Sequence, residues 1–194
     1  MVQNNRKSEP GRAALERLYR GVAPTGRPLL FLDFDDVLCL NQPYSGHHLS
    51  LNAAERPGDL FQKLWHLPAV QALLQVVDEY APQVVLTTSW LRLLEREGFV
   101  ELFQRTGLSV LADALHEAWD APQDFGRSRH QAIERWLFAH YESQPLLILD
   151  DELSGTGLFG SRLHKAGCVV LCKVDVGLHA GHLPAVRAAL GGGR

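Results

Sequence analysis

The sequence predicts an α/β fold: a three-layer sandwich with a mostly parallel, Rossmann-like sheet covered by helices on both faces. Three observations predict it. Leu29–Leu32, Val84–Leu86 and Leu146–Leu149 are short, unbroken apolar runs, the pattern of strands buried on both faces. The stretches between them carry helical periodicity, as at Val70, Leu73, Leu74 and Val77. Two of the runs lead directly into aspartates and the third into hydroxyls, and the strand ends of an open parallel sheet are where ligands bind.

The elements follow in order. Residues 1–10 are polar, which predicts a disordered tip, and Ala13–Arg20 a short helix with Leu15, Leu18 and Tyr19 on one side. Gly21–Arg27, with Pro24 and Gly26, is the loop into the first strand. Cys39–Pro57 is irregular and reads as a flap over the strand end, with Leu60–Trp65 a short helix behind it. A helix from Pro68 stops near Tyr80 because Pro82 cannot continue it. After the second strand, Leu91–Arg105 reads as a helix broken at Gly98, Leu108–Leu111 as a third strand and Ala118–Phe125 as loop. Ser128 and Gln131 form a capping box opening a helix through Ile133, Trp136, Leu137, His140 and Tyr141. The strand at Leu146–Leu149 follows, then a helix over Leu158–Lys165, a strand over Cys168–Cys172 and a last helix over Pro184–Leu190.

At 194 residues, 46% hydrophobic and 21% charged, the chain suits one soluble domain with a substantial core. Residues 1–27 read as a tail and short helix, 28–190 as the main domain with 39–67 as its flap, and 191–194 as a flexible tail. The net charge of -3 gives no footprint for a stable nucleic-acid complex. No apolar run approaches the ~20 residues of a membrane span, and the polar N-terminus does not resemble a signal peptide. Three cysteines, an odd number without an export signal, point to the cytoplasm. Oligomeric state is not legible.

The first apolar run ends in Asp33, Asp35 and Asp36, three carboxylates that repel one another unless a cation lies between them. Hard oxygen donors grouped this way suit Mg²⁺; an acidic turn or a helix N-cap is the other reading. Asp150 and Asp151 end a second run, and Thr87, Thr88 and Ser89 end a third. Neighbouring strands would bring all of these to one edge. Arg129, with Arg127 nearby, sits at a helix start, where a cation opposes the helix dipole by about 0.3–1 kcal/mol. It is better explained by an anion than by stability.

Strand-D-x-D in "FLDFDD", strand-Thr in "VVLTTSW", Arg129 in "GRSRHQAIERWL" and paired acids in "LLILDDE" together resemble the haloacid dehalogenase (HAD)-like hydrolase superfamily. The resemblance covers roughly Leu29 to Leu190 and is closest to the small, minimally capped HAD domains of bacterial RNA-repair proteins. It implies a HAD-like sheet and a phosphatase with an aspartyl-phosphate intermediate. Asp33 would be the nucleophile. Asp35 would protonate the leaving oxygen and then activate water. Asp33, the backbone carbonyl of Asp35, and Asp150, with Asp151 as alternative or support, would hold Mg²⁺. Thr87 would bind a phosphoryl oxygen, Thr88 being the competing choice, and Arg129 would neutralise another. Arg127 and Asp36 are further substrate-side candidates.

Two positions depart from the family's pattern. Asp36 stands where Gly is usual, and Arg129 where Lys is usual. The implied substrate is a phosphorylated small molecule or a nucleic-acid end. Two other readings stand beside the phosphatase: a Mg²⁺-dependent nuclease, and a non-catalytic binding module with a relic site.

Two patterns look like sites and are set aside. Gly155, Gly157 and Gly160 fit a dinucleotide fingerprint, but acids lie between them and their strand and would repel a pyrophosphate. Cys168 and Cys172, with His179 and His182 nearby, suggest zinc, yet four strand steps are ~13 Å, too far to share one ion.

Overall fold

A computed structural model describes residues 10–191. The expected tip over 1–9 and the tail over 192–194 lie outside the described residues. A five-stranded, all-parallel sheet runs in the order β3-β2-β1-β4-β5. Its strands are β1 (Leu29–Leu32), β2 (Gln83–Leu86), β3 (Leu115–Asp120), β4 (Leu146–Asp151) and β5 (Val169–Cys172). The helices are α1 (Pro10–Tyr19), α2 (Leu60–Lys63), α3 (Leu67–Tyr80), α4 (Arg96–Arg105), α5 (Ser109–Ala114), α6 (Arg129–His140), α7 (Arg162–Lys165) and α8 (Leu183–Leu190). Among the described residues no helix is long and apolar enough to cross a membrane.

Strand residues alternate between two cores, because successive side chains point to opposite faces. Leu30, Leu32, Val84, Leu86, Leu147 and Leu149 pack with α3, α4, α5 and α8. Leu29, Phe31, Val85, Leu146 and Ile148 pack with α1, α6 and α7. That division makes the three layers, and every residue of β1 is fully buried.

Register decides what reaches the edge. Leu32 pairs with Leu86 on one side and with Leu149 on the other. One step further, the Thr87 amide donates to Leu32 O at 3.0 Å and the Asp33 amide to Leu149 O at 3.0 Å. Asp33, Thr87 and Asp150 therefore stand abreast, and two-residue alternation puts all three on the α6 face. Phe34, between the two motif aspartates, falls on the other face. Its ring meets Trp65, Trp90, Phe99 and Phe103 at centroid distances of 5.3, 5.1, 6.0 and 6.0 Å.

Several expected elements are corrected. Leu108–Leu111 is not a strand: Leu108 precedes α5 and Leu111 lies on its inner face, both buried, and the third strand follows at 115–120, running into the first residues of the expected loop. The helix after β2 breaks at 93–95, not at Gly98, because a 3₁₀ turn over Ser89–Arg92 closes there and extended Glu95 restarts the chain as α4. The expected 158–165 helix is only α7; Gly160 has φ +73° and Ser161 caps the late start by accepting the His164 amide. The buried face of α3 is carried by Ala69, Ala72, Leu73, Val76 and Val77, a rotation from the expected stripe.

The flap is small and tied down. His66 N–H donates to Leu38 O at 2.7 Å and closes its base. Arg56 donates to Leu49 O at 2.8 Å and Leu51 O at 3.2 Å, and Tyr44 Oη bonds Asp59. Leu49, Leu60 and Leu64 are buried in the main core.

Helix α1 lies so close to α6 that a Cβ on Gly11 would come within 1.8 Å of Leu137 O. Gly11→Ala should force the helices apart and cost about 1–3 kcal/mol. At roughly 2–4 °C per kcal/mol for a domain of this size, thermal unfolding should fall by several degrees. An unchanged midpoint would contradict the contact.

Candidate active site at the carboxyl edge of the sheet

Four elements deliver the site: the end of β1, the end of β2, the end of β4 and the start of α6. Asp33, Thr87, Asp150, Asp151 and Arg129 are all buried. One carboxylate oxygen from each of Asp33, Asp150 and Asp151 lies within 4.8 Å of the others. The side chain of Arg129 reaches into the group, with Nε 2.9 Å from Asp150 Oδ2 and an Nη 3.5 Å from Asp33 Oδ1. These are ion-pair distances without hydrogen-bond alignment. Asp33 Oδ1, Asp150 Oδ2 and Thr87 Oγ1 are buried with no hydrogen-bond partner. Unsatisfied buried polar atoms cost about 1–3 kcal/mol each, so three at one edge point to something that binds there.

The start of α6 is held from two sides. The Ser128 hydroxyl accepts the Gln131 amide at 3.2 Å, and the Gln131 side chain accepts the Ser128 amide at 3.0 Å, the capping box expected from the sequence. The Arg129 amide donates to Thr156 Oγ1 at 2.9 Å, tying this helix start to the loop after β4.

That loop contributes Ser154, which sequence reasoning missed. Its hydroxyl lies 3.1 Å from Asp33 Oδ2 and 3.4 Å from Asp150 Oδ1, and it also bonds Asp151. Asp151 Oδ1 accepts the amides of Leu153 at 2.7 Å and Ser154 at 2.9 Å. An Asp followed three residues later by Ser is the available sequence signal for such a turn. Gly155 completes it, since a Cβ there would meet Asp151 O at 2.5 Å and Asp150 Oδ1 at 3.3 Å.

Charge dominates the electrostatics. Three buried carboxylates face one guanidinium. Burial pushes the Asp33 carboxyl up to about 6, opposed by Arg129. Burial and the charge of Asp33 push Asp150 well above the ordinary range. Hard oxygen donors, uncompensated negative charge and orphaned lone pairs fit a divalent cation.

Asp35 is held by a different set of partners. Its carboxylate accepts the Ser89 hydroxyl at 2.9 Å, and the Trp90 indole N–H lies 3.0 Å from each of its oxygens. Its side chain lies outside the aspartate trio. Thr88 serves as a cap, its hydroxyl accepting the Trp90 amide at 3.3 Å, whereas the Thr87 hydroxyl is unpartnered on the face of the trio. Arg127 is exposed and 3.6 Å from Asp124; it is not gathered with the buried residues.

Asp36 adopts φ +53°, the left-handed region that favours Gly, which accounts for the family's usual residue there. Asp tolerates it by bonding locally, and Asp36 Oδ1 accepts the Asp175 amide at 2.8 Å. The acid is thereby turned toward the β5 loop, outside the trio.

The glycines at 155, 157 and 160 precede only the four-residue α7, which gives no long helix for a dinucleotide. Cys168 and Cys172 are free, buried thiols. The aspartate trio is the sole metal-capable His/Cys/Asp/Glu group among the described residues. Beside Asp35 a recess of about 340 Å³ opens between flap and 3₁₀ turn, lined by Asn41, Ser45, His47, Ser89 and Trp90.

Compared with known proteins, residues 29–183 match the family model described as the HAD domain in Swiss Army Knife RNA repair proteins. No solved structure matches the chain.

The raised acids carry a pH sign. The fold holds protons on Asp33 that an unfolded carboxyl, at 3.8, has already released, so metal-free protein loses stability from this site as pH rises from about 4 to about 6. Without metal at pH 7, Asp33→Asn should raise the thermal midpoint by several degrees, and at pH 4 the gain should vanish. A divalent cation held by the trio should stabilise wild type in the same assay and leave the variant nearly unmoved. A variant less stable than wild type at pH 7 would refute the buried-charge account.

Proposed function

Because the chain belongs to the HAD domain family of Swiss Army Knife RNA repair proteins, a hydrolase family, we propose that it is a Mg²⁺-dependent phosphomonoester hydrolase working through an aspartyl-phosphate on Asp33. The observation that carries this reading is the convergence of Asp33 Oδ1, Asp150 Oδ2 and Thr87 Oγ1, none with a hydrogen-bond partner, around buried Arg129.

Asp33 attacks phosphorus as a carboxylate; a C–O–P linkage forms and the ester P–O bond breaks. Asp35 gives its proton to the departing oxygen. It then takes one from water, whose oxygen displaces Asp33 from phosphorus and releases inorganic phosphate. Thr87 donates to one phosphoryl oxygen. Arg129 neutralises another and, since its guanidinium is always charged, does so at any working pH. Ser154 fixes the rotamers of Asp33 and Asp151.

Asp33, Asp150 and the backbone carbonyl of Asp35 are the proposed Mg²⁺ ligands, with Asp151 as alternative ligand or support. Bound there, the ion supplies charge neutralisation between an anionic nucleophile and an anionic phosphoryl group.

The flap over 39–67 is too small to be a cap domain, which supports a bulky substrate, and the family's description favours a phosphorylated nucleic-acid end over a small molecule. A net charge of -3 supports contact with the end alone and no stable complex along a strand. Three free, buried cysteines fit a reducing compartment, so we place the protein in the cytoplasm.

With Mg²⁺, the protein should hydrolyse a generic aryl phosphate and, in an oligonucleotide panel, release phosphate from 3′- or 5′-phosphorylated ends. Asp33→Asn should lower turnover at least ~10³-fold, on the scale of losing a covalent nucleophile. Retained turnover would remove the nucleophile assignment. Phosphodiester cleavage that survives Asp33→Asn without phosphate release would favour a nuclease.

Thr87→Ala should lower kcat/KM by about 10²–10³, as for one lost donor to a developing charge. Thr88→Ala should cost mainly stability. The reverse order would exchange the two threonines.

A further inference from the structure

We propose that Trp90 is a positioning residue: its indole N–H, with the Ser89 hydroxyl, fixes the Asp35 carboxylate beside the recess that receives the departing alcohol. This rests on the phosphatase reading above and adds to it the residue that aims the acid and the face on which the alcohol leaves.

The geometry comes first. Trp90 Nε1 lies 3.0 Å from both oxygens of Asp35, and Ser89 Oγ lies 2.9 Å from one of them. An indole N–H only donates, so it orients the Asp35 carboxyl and cannot itself take up the proton that Asp35 delivers. Asp35 is only half-buried on a loop end and has no other side-chain hydrogen bond among the described residues. Without those donors its rotamer would be free to swing.

The indole itself is fixed. It stacks on Trp65 at 5.4 Å and 12°, takes the edge of Phe34 at 5.1 Å and is 1% exposed. From above, the flap closes on it: a Cβ on Gly46 would come within 2.5 Å of Nε1, so only glycine lets the flap lie there. Flap, indole and acid therefore form one contiguous stack.

The recess matches an uncharged group immediately beside the scissile phosphate. Its wall carries Asn41, Ser45 and His47 but no lysine or arginine, and Asp35 adds a carboxylate. A hydroxylated group such as a ribose fits that lining, and a second phosphate does not. The recess is shallow and open to solvent, so it meets the departing group along one side.

The test is leaving-group dependence. Protonation matters most for a poor leaving group and least for a good one. The kcat/KM values for glycerol 2-phosphate and 4-nitrophenyl phosphate, which report steps through departure of the alcohol, are compared in wild type, Trp90→Phe and Ser89→Ala. Trp90→Phe should lose at least about tenfold more on the alkyl ester than on the aryl ester, part of the ~10²–10⁴ that a placed general acid provides. Ser89→Ala, on an exposed hydroxyl that no packing depends on, should shift the ratio the same way by less. A general loss of folding lowers both esters together and leaves the ratio fixed. Equal losses on both esters in both variants would therefore overturn the proposal while leaving the phosphatase reading intact. Wild-type protein that releases phosphate from neither ester would remove that reading and this one with it.

Discussion

The structure is arranged around a deficit of positive charge. Asp33, Asp150 and Asp151 sit together out of water, with a single guanidinium among them. A protein interior does not tolerate that imbalance cheaply, because desolvation of a carboxylate exceeds what one imperfectly aligned Arg returns. The cost is visible in the upward shifts of Asp33 and Asp150 and in their unpartnered oxygens. Much of the surrounding structure holds the arrangement in place. Ser154 bonds to all three acids, the Asp151 turn depends on Gly155, and the start of α6 is fastened to Thr156. Stability is sacrificed locally in a way that makes the site attractive to a cation.

The sheet is what makes this affordable in sequence terms. Parallel pairing in register carries the last apolar residue of β1, β2 and β4 to the same level. Whatever residue follows each run is then delivered to the edge. Because alternation is strict, Asp33 faces α6 while Phe34 enters the aromatic cluster under the flap. A D-x-D motif on a strand end thus contains its own anchor: the middle residue packs, and the flanking acids are presented.

This is why much of the molecule could be read from the chain. Leu29–Leu32 and Leu146–Leu149 are central strands with long apolar runs, and their ends announce the acids. β3 was illegible because it is an edge strand whose residues are mostly half-exposed, so Leu115–Asp120 offers no apolar run and the helical Leu108–Leu111 outshone it. Thr87 and Thr88 are chemically equivalent in sequence, and only register separates the one that faces the acids from the one that caps a turn. Ser154 leaves no mark in the sequence beyond its spacing from Asp151, and Trp90, which follows the hydroxyl run and reads as a packing residue bordering the pocket, shows nothing of its contact with Asp35, because both act through the direction of their hydrogen bonds. No periodicity encodes the direction of a hydroxyl or an indole.

Asp36 shows how a departure from pattern can be absorbed. The turn after the motif needs a left-handed residue, and an L-residue there carries strain that glycine avoids. Here the side chain offsets that strain by capping the Asp175 amide. The same turn is gripped again at Val37, whose carbonyl accepts the Leu178 amide at 2.9 Å and lies 3.0 Å from where a Cβ on Gly177 would stand. The loop after β5 is therefore clamped along the turn that aims Asp33 and Asp35. With only a small flap above, precision at Asp33 has to come from below and beside it, and a tether from the neighbouring loop is one way a small domain can supply it.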